Sequence, residues 1–228
     1  MYSLYIANKN YSSWSLRPWV LMKSLGIPFE ERLVVFKEGS NQENFRKFSP
    51  AGLVPCLHDD SAVVWDSLGI TEYLAERHPG VWPGQGDARA FARCAAAEMH
   101  SGFGALRTIC SMNCGLRVRL REIPPGLQAN LDRIGELWTD GLRRFGGPFL
   151  AGDAFTAVDA FFAPVAFRIQ TYDLRPGAAA SAYASRLLKL PAMIEWYDAA
   201  LKETWREQTH EAEARDAGTV LQDYRATA

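Results

Sequence analysis

The stretch from residue 50 to residue 72 constrains the fold more than any other part of the sequence. Val54 and Pro55 open a short apolar run, a polar turn follows at residues 59–61, and residues 62–65 form a second apolar run. This pattern predicts a β-hairpin. Because proline cannot donate to a sheet ladder, Pro55 is expected at a strand's first position, at an edge or at a bulge. Val54 would then keep free backbone groups that an extended, peptide-like ligand can use.

Asp66 and Ser67 follow the hairpin directly and precede apolar residues at helical spacing. A helix is therefore expected to begin at about Ser67. The carboxylate, the hydroxyl and the free amides of the first turn would converge at the positive end of the helix dipole. Helix capping alone would also account for both residues.

Composition limits the classes of function that are open to the chain. Its 228 residues, 48% of them hydrophobic, suit one large domain or two small ones. A net charge of -1 argues against nucleic acid as the main partner. The four cysteines have neither metal-ligand nor redox-pair spacing, so no metal is expected. With no signal-like start and no long apolar window, a cytoplasmic protein without a membrane span is predicted.

A strand, a helix and a second strand are predicted ahead of the hairpin. Residues 2–7 read as the first strand, and a helix with apolar residues at helical spacing ends at residues 26–28, Gly-Ile-Pro. Residues 29–36 read as the second strand, with a buried run at residues 33–36. Residues 1–80 are thus expected to form an α/β domain of βαβ-ββα order with a mixed four-stranded sheet.

Residues 81–87 are rich in proline and glycine and are predicted to form a linker. Helical periodicity dominates after it, so residues 88–228 are expected to form an all-α bundle. Helices are predicted at residues 87–113, 127–145, 156–170, 180–188 and 192–206. The polar end of the chain after Gln208 is expected to be held loosely.

The segment Ser12-Ser13-Trp14-Ser15-Leu16-Arg17 lies where the first strand ends and the first helix begins. Free amide groups and the helix dipole at such a position favour an anion, for example a thiolate. A serine hydroxyl there can donate a hydrogen bond to the anion without ionising. The alternative is structural, with Ser13 or Ser15 as the N-cap and Trp14 as a packing residue.

The ordered set of strand, serine loop, Val54-Pro55 hairpin and Asp66-Ser67 pair resembles the thioredoxin-like, glutathione-binding domain of the cytosolic glutathione S-transferases. The serine loop is most similar to that of the zeta class and its bacterial relatives, which reads Ser-Ser-Cys-Ser-X-Arg. Residues 155–159, Phe-Thr-Ala-Val-Asp, resemble the capping box and hydrophobic staple of that family's helical domain. The resemblance covers nearly the whole chain.

This resemblance implies a role for each matching residue. Ser12 would hydrogen-bond the sulfur of glutathione, with Ser13 as the alternative. Val54, beside a cis Pro55, would pair with the cysteinyl backbone of glutathione. The Asp66-Ser67 pair would hold the γ-glutamyl end. The protein would then be a glutathione S-transferase of the serine type, using glutathione as co-substrate and transferring its thiolate to a small electrophile, as in detoxification.

The electrophile is expected between the two domains. Trp14, Met99 and Phe103 would line its pocket, the last two from one apolar face of the first long helix. Two departures from the zeta pattern weaken the case for maleylacetoacetate isomerisation. Trp14 replaces the cysteine, and Thr171 stands where some zeta enzymes have an arginine, although Arg168 lies one helical turn earlier.

Two other functions are compatible with the same residues. One is a zeta-like, glutathione-dependent isomerase. The other is a non-catalytic binding or regulatory protein that uses the fold as a scaffold. Thiol reduction through a cysteine is the least favoured mechanism, because the loop after the first strand contains no cysteine. In each case the resemblance implies a homodimer.

Overall fold

The computed structural model describes residues 1–37 and 41–225. The first elements are β1 (Tyr2–Ile6), α1 (Ser13–Ser24), β2 (Phe29–Leu33), α2 (Gln42–Phe45), β3 (Cys56–Asp59), β4 (Ala62–Trp65) and α3 (Ser67–Ala75). The four strands form one sheet in the order β2-β1-β3-β4. β1 is parallel to β2 and antiparallel to β3, which forms an antiparallel hairpin with β4. The predicted mixed sheet of βαβ-ββα order is confirmed.

The second strand is shorter and less buried than the sequence suggested. β2 ends at Leu33 and not at Phe36. Leu33 is 46% exposed and Val35 is 36% exposed, so the expected buried run at residues 33–36 is wrong. β2 lies at the edge of the sheet, where apolar side chains are not covered on both faces.

A mainly helical part follows, and it confirms the predicted bundle. Its helices are α4 (Gly86–Ser101), α5 (Gly104–Ile109), α6 (Pro125–Phe145), α7 (Ala157–Tyr172), α8 (Ala178–Leu187), α9 (Pro191–Leu201) and α10 (Gln208–Ala217). The bundle also contains a two-stranded antiparallel sheet of β5 (Leu116–Leu120) and β6 (Gly218–Asp223). The sequence analysis missed this sheet because its strands lie about 100 residues apart along the chain.

The first long helix is divided in two, contrary to the expectation of one helix over residues 87–113. α4 ends at Ser101 and α5 begins at Gly104. Between them Phe103 has a φ of 57°, a left-handed conformation that a right-handed helix cannot continue through. A Cβ atom at Gly102 would lie 2.7 Å from the carbonyl oxygen of Glu98, so glycine suits this tight corner.

α7 is the central helix of the molecule. It packs against α1, α4 and α8 and is buried along most of its length, as expected of a helix that is apolar on all sides. The Thr156 amide donates to Oδ2 of Asp159 at 2.9 Å, which forms part of a capping box at its start. The structural role predicted for Thr156 and Asp159 is therefore confirmed. Because α7 contacts α1 directly, it links the bundle to the helix that begins at Ser13.

The described residues after Gln208 are anchored as far as Arg225, so the expectation of a loose segment there is wrong. α10 and β6 pack onto β5. At the last described position, Nη2 of Arg225 donates to Oε2 of Glu211 at 3.0 Å. The polar sequence led to the opposite expectation, but its charged side chains form a buried ion pair that holds this segment in place. Among the described residues, no helix combines the length and the apolar character needed to cross a membrane.

Candidate functional site

The loop at residues 8–12 joins β1 to α1 and is held by the helical bundle. The carboxylate of Glu203 accepts the Lys9 amide at 2.6 Å and the Asn10 amide at 3.1 Å. The Trp196 indole donates to the carbonyl oxygen of Lys9 at 2.8 Å. These bonds fix the backbone of the loop immediately before the serines.

Ser12 is the N-cap of α1. Its Oγ accepts the Ser15 amide at 3.4 Å and donates to Oγ of Ser15 at 2.8 Å. Oγ of Ser15 also accepts the amide of Ala7 at 3.2 Å, which ties the cap to the end of the first strand. A structural capping role is therefore present, but Ser12 performs it and not Ser13 or Ser15.

Ser13 is the first residue of α1 and is half-buried. Its Oγ lies 3.4 Å from Nη2 of Arg168, a residue of α7. Both serines line a cavity of about 280 Å³ between the two parts of the molecule. Its walls include Ser12, Ser13, Trp14, Val54, Met99 and Arg168.

The hairpin residues lie beside this cavity, around a second depression of about 280 Å³. The Val54–Pro55 peptide bond is cis. Asp66 has a φ of 69° and caps α3, with Oδ1 accepting the Leu68 amide at 2.8 Å. The second depression is lined by Trp14, Val54, Pro55, Asp66 and Ser67, among others. Since Val54 and Trp14 line both cavities, the predicted binding residues and the serines form one continuous surface.

Three arginines line the first cavity, which the sequence analysis did not predict as a group: Arg17, Arg107 and Arg168. Burial, together with the charges of Arg107 and Arg168, holds the pKa of Arg17 well below its ordinary value, while Asp66 opposes this shift. Burial and the charge of Arg107 lower the pKa of Arg168 to about 10. The cluster therefore favours an anion in the cavity.

Hydrogen bonds hold all three of these guanidinium groups, and that of Arg17 donates through Nη1 to Oγ of Ser67 at 3.4 Å. Nε of Arg168 donates to the Cys110 carbonyl oxygen at 2.8 Å. Nη2 of Arg107 donates to the carbonyl oxygens of Met99 and His100, in the latter case at 2.6 Å. Within the described residues, the buried Nε atoms of Arg17 and Arg107 have no hydrogen-bond partner. The arginines are thus held in place without being fully neutralised.

Trp14 forms the wall that the two cavities share. The guanidinium carbon of Arg17 lies 4.1 Å from the centre of a Trp14 ring, and that of Arg107 lies 4.5 Å from it. Cation–π contacts of this kind orient the indole. Arg17 was visible in the sequence as the end of the serine motif, whereas the contact of Trp14 with Arg107 joins residues that lie far apart along the chain.

The structure separates the other two residues predicted for the electrophile pocket. Met99 is buried and lines the first cavity. Phe103 is 6% exposed and is not among the lining residues. Its ring packs against Phe162, with a centroid distance of 6.4 Å. The turn between α4 and α5 takes Phe103 off the helical face on which the sequence analysis placed it.

α10 supplies a wall of the cavity that the sequence analysis missed. His210 and Glu213 line the cavity. The His210 ring stacks on Tyr11 at 5.1 Å and on Phe36 at 5.2 Å between centroids. A signal existed, because the buried residues Glu211 and Ala214 have helical spacing, but their polar neighbours obscured it.

The described cysteines offer no nucleophile to this cavity, since none of them lines it. Burial raises the pKa of Cys110 to about 12, which keeps its thiol protonated at neutral pH. Among the described residues, no group of His, Cys, Asp and Glu side chains is arranged to hold a metal ion.

Comparison with protein families gives matches over two long ranges. Residues 11–77 match the model for the glutathione S-transferase N-terminal domain, and residues 95–199 match that for the C-terminal domain. Together these ranges cover well over half of the chain. The chain belongs to the glutathione S-transferase family. The serines and the hairpin residues lie inside the first range, whereas the α10 wall lies outside both.

Individual relatives agree with this family. A probable maleylacetoacetate isomerase of Vibrio cholerae is 27% identical over 206 residues, which span 86% of this chain and 95% of the relative. A zeta-class glutathione S-transferase of Euphorbia esula is 28% identical over 157 residues, or 67% and 70% of the two chains. A glutathione transferase homologue from Burkholderia, solved with bound glutathione, has a TM-score of 0.65 at 21% identity and covers 87% of this chain and 97% of its own. The structural likeness confirms the glutathione S-transferase fold.

Proposed function

We propose that this glutathione S-transferase activates the thiol of glutathione through a serine hydroxyl at the N-terminus of α1 and transfers the thiolate to a small electrophile. The observation that carries the proposal is the continuous surface that joins Ser12 and Ser13 to Val54, Asp66 and Ser67. Glutathione is the substrate after which the family is named, and this surface has room for an extended tripeptide.

The chemistry requires only a modest shift in the pKa of the thiol. A free thiol of pKa about 8.5 is only a few per cent ionised at neutral pH. A hydrogen bond to a charged group contributes about 1.5–3 kcal/mol, and a helix N-terminus contributes about 0.3–1 kcal/mol. Since one pKa unit corresponds to about 1.36 kcal/mol, these effects together lower the thiol pKa by roughly one to three units. A shift of more than about 1.5 units makes the bound thiolate the major species at neutral pH.

The remaining residues orient the tripeptide. In the proposed complex the backbone of Val54 pairs with the cysteinyl unit, which directs the sulfur towards the serines. The carboxylate of Asp66 attracts the ammonium group of the γ-glutamyl end. The γ-glutamyl carboxylate would lie at the N-terminus of α3, beside the fully buried Ser67, where the helix dipole favours an anion.

The electrophile would enter the first cavity, against Trp14 and Met99. Met99 provides an apolar contact, and the guanidinium of Arg107 provides a positive charge close to the sulfur. Small electrophiles with an electron-withdrawing or anionic group suit this combination, because negative charge develops on them during thiolate attack.

A second candidate function is a glutathione-dependent isomerase of the zeta kind. One observation favours it: Arg168 lines the cavity one helical turn before Thr171, where the zeta arginine is absent. Thr171 itself is buried and donates to the Asn113 carbonyl oxygen at 2.7 Å. The curated relatives named maleylacetoacetate isomerase support the same candidate.

The test is a pH titration of the thiolate absorbance of glutathione in the presence of the protein. The expected bound-thiol pKa is at least about one unit below that of free glutathione. The Ser12→Ala/Ser13→Ala double variant should lose this shift and the conjugation of a generic aryl halide. Ser185→Ala, a change at an exposed serine of α8, serves as the matched control.

Glutathione that stays unbound, or that binds with an unperturbed thiol, would contradict the proposal and favour a non-catalytic scaffold. Assays of aryl halide conjugation and of the cis–trans isomerisation of an unsaturated diketo acid separate the two candidates. A transferase conjugates the halide without isomerising the acid, and a zeta-like isomerase does the reverse.

A further inference from the structure

The two serines differ in what their hydroxyl groups do. A serine hydroxyl has one hydrogen to donate. Ser12 uses its hydrogen towards Oγ of Ser15, 2.8 Å away, while its oxygen caps the Ser15 amide. Ser13 is arranged differently, because its Oγ accepts a hydrogen from Nη2 of Arg168 at 3.4 Å. The hydrogen of the Ser13 hydroxyl therefore remains available to the cavity that both serines line.

Two backbone carbonyl groups hold the Arg168 side chain in place. Its Nε donates to the Cys110 carbonyl oxygen at 2.8 Å, and its Nη1 lies 3.4 Å from the Pro164 carbonyl oxygen. The side chain is 5% exposed, so its orientation does not depend on solvent. Of its three nitrogens, Nη2 is the one directed to Ser13. This arrangement holds a cation against the oxygen of a serine at the helix N-terminus.

We propose that Arg168 is a positioning residue that acts through Ser13, so that the Ser13 hydroxyl donates to the glutathione thiolate while Ser12 holds the helix cap. The guanidinium donates to the Ser13 oxygen, fixes its rotamer and polarises its O–H bond. This inference rests on the proposed function and specifies which serine performs it.

The charged groups around the cavity support a stabilised thiolate. Besides Arg168, the cations Arg17 from α1 and Arg107 from α5 line it. α10 contributes His210 and the carboxylate of Glu213, and the loop before α1 contributes the Tyr11 hydroxyl, whose pKa burial raises. Asp66 of the neighbouring depression opposes the charge of Arg17. Three guanidinium groups face one lining carboxylate, so the local field favours an anionic sulfur.

The experiment measures the pKa of protein-bound glutathione in single and double variants. Arg168→Met should raise the bound-thiol pKa by roughly one unit, the size expected for one lost hydrogen bond to a charged group. Ser13→Ala should raise it at least as much, and Ser12→Ala should raise it less. In the Ser13→Ala background, Arg168→Met should raise the pKa by less than it does in the wild type, because only its direct charge effect remains and the part that passes through Ser13 is gone. Arg186→Met removes an exposed arginine of α8 and is the charge-matched control.

Arg168→Lys keeps the charge but cannot bond both the Cys110 carbonyl and Ser13, so its pKa should lie between those of the wild type and Arg168→Met. Should Arg168→Met fail to fold by circular dichroism, Arg168→Lys alone and in the Ser13→Ala background carries the same comparison. A merely structural role for Arg168 would change stability without changing the thiol pKa in folded protein.

The outcomes are distinguishable from failure of the proposed function. If the wild type does not lower the thiol pKa, the proposed function fails and the inference fails with it. If the wild type lowers the pKa but the Arg168 variants lower it equally, the inference is wrong. It is also wrong if Arg168→Met leaves the thiol pKa unchanged and raises KM for an acidic electrophile, because the arginine then binds the second substrate.

Discussion

The Arg225 guanidinium and the Glu211 carboxylate form an ion pair in which the side chains are only 1% and 5% exposed. The Tyr11 hydroxyl joins the pair by donating to Oε1 of Glu211 at 2.6 Å. Tyr11 immediately precedes Ser12, so this pair connects the end of the chain to the serine loop.

Removal of one partner should destabilise the protein strongly, because the other charge is left buried. We expect Arg225→Met to lower the free energy of unfolding by about 3–5 kcal/mol in urea denaturation. Arg215 contacts the same carboxylate at 3.7 Å, but its side chain is 64% exposed. Arg215→Met should therefore cost less than about 1 kcal/mol. Equal effects of the two substitutions would show that burial does not determine the strength of these pairs.

The same carboxylate should make stability depend on acid pH. Burial alone would raise the pKa of Glu211, but the hydrogen bonds from Arg225 and Tyr11 hold this pKa below its ordinary value. The stabilisation is therefore complete above about pH 4.3, the ordinary pKa of a glutamate, and is lost as the pH falls through the lower folded-state value. In urea unfolding between pH 7 and pH 3, Glu211→Gln should lose less stability than the wild type. Parallel curves would contradict this.

Asp159 should be more important for stability than a single hydrogen bond implies. Its carboxylate accepts from the Tyr183 hydroxyl at 2.6 Å, from the Leu150 amide at 3.0 Å and from the Thr156 amide at 2.9 Å. Asp159→Ala strands these buried donors, at about 1–3 kcal/mol each, and should cost more than about 3 kcal/mol in denaturant unfolding. Tyr183→Phe removes one bond to the carboxylate and should cost about 1.5–3 kcal/mol. Similar losses would mean that water satisfies the stranded amides.

Two buried residues near the α4–α5 corner should affect turnover differently. Met99→Ala enlarges the cavity and should raise KM for the electrophile by roughly tenfold, since lost apolar contacts in a pocket have effects of this size. Phe103→Leu should leave that KM unchanged and lower stability, because Phe103 packs against Phe162 outside the cavity. Steady-state kinetics at saturating glutathione tests both. A changed KM in Phe103→Leu would place its ring in the electrophile pocket.

The sequence predicted those features that depend on neighbouring residues. The hairpin, the helix start at Ser67 and the Thr156 to Asp159 capping box each depend on residues within a few positions. The turn residues and the spacing that define such features lie within the local sequence, so these features can be predicted without tertiary information.

The features that the sequence analysis missed depend on contacts between distant residues. Arg168 reaches Ser13 across 155 positions, and Tyr11 reaches Glu211 across 200. A periodic pattern of apolar residues in the sequence cannot indicate such a contact. The polar end of the chain suggested a loose segment, and its order comes from the buried pairing of Arg225 with Glu211. The resemblance favoured Ser12 as the residue that contacts the sulfur, with Ser13 as the alternative, because the contact of Arg168 with Ser13 is not visible in the sequence.

Because Glu203 and Trp196 bond to the loop at residues 8–12, the conformation of that loop depends on both halves of the chain. A chimaera that joins this N-terminal half to another bundle would therefore keep the backbone of the serine loop in place only if that bundle supplied the same acceptor and donor. A change at Glu203 alone would leave the Lys9 and Asn10 amides without their acceptor. The two ranges that match separate family domains therefore do not mark two independent folding units in this chain, because the loop that precedes α1 takes its backbone order from residues 187 and 194 positions further along.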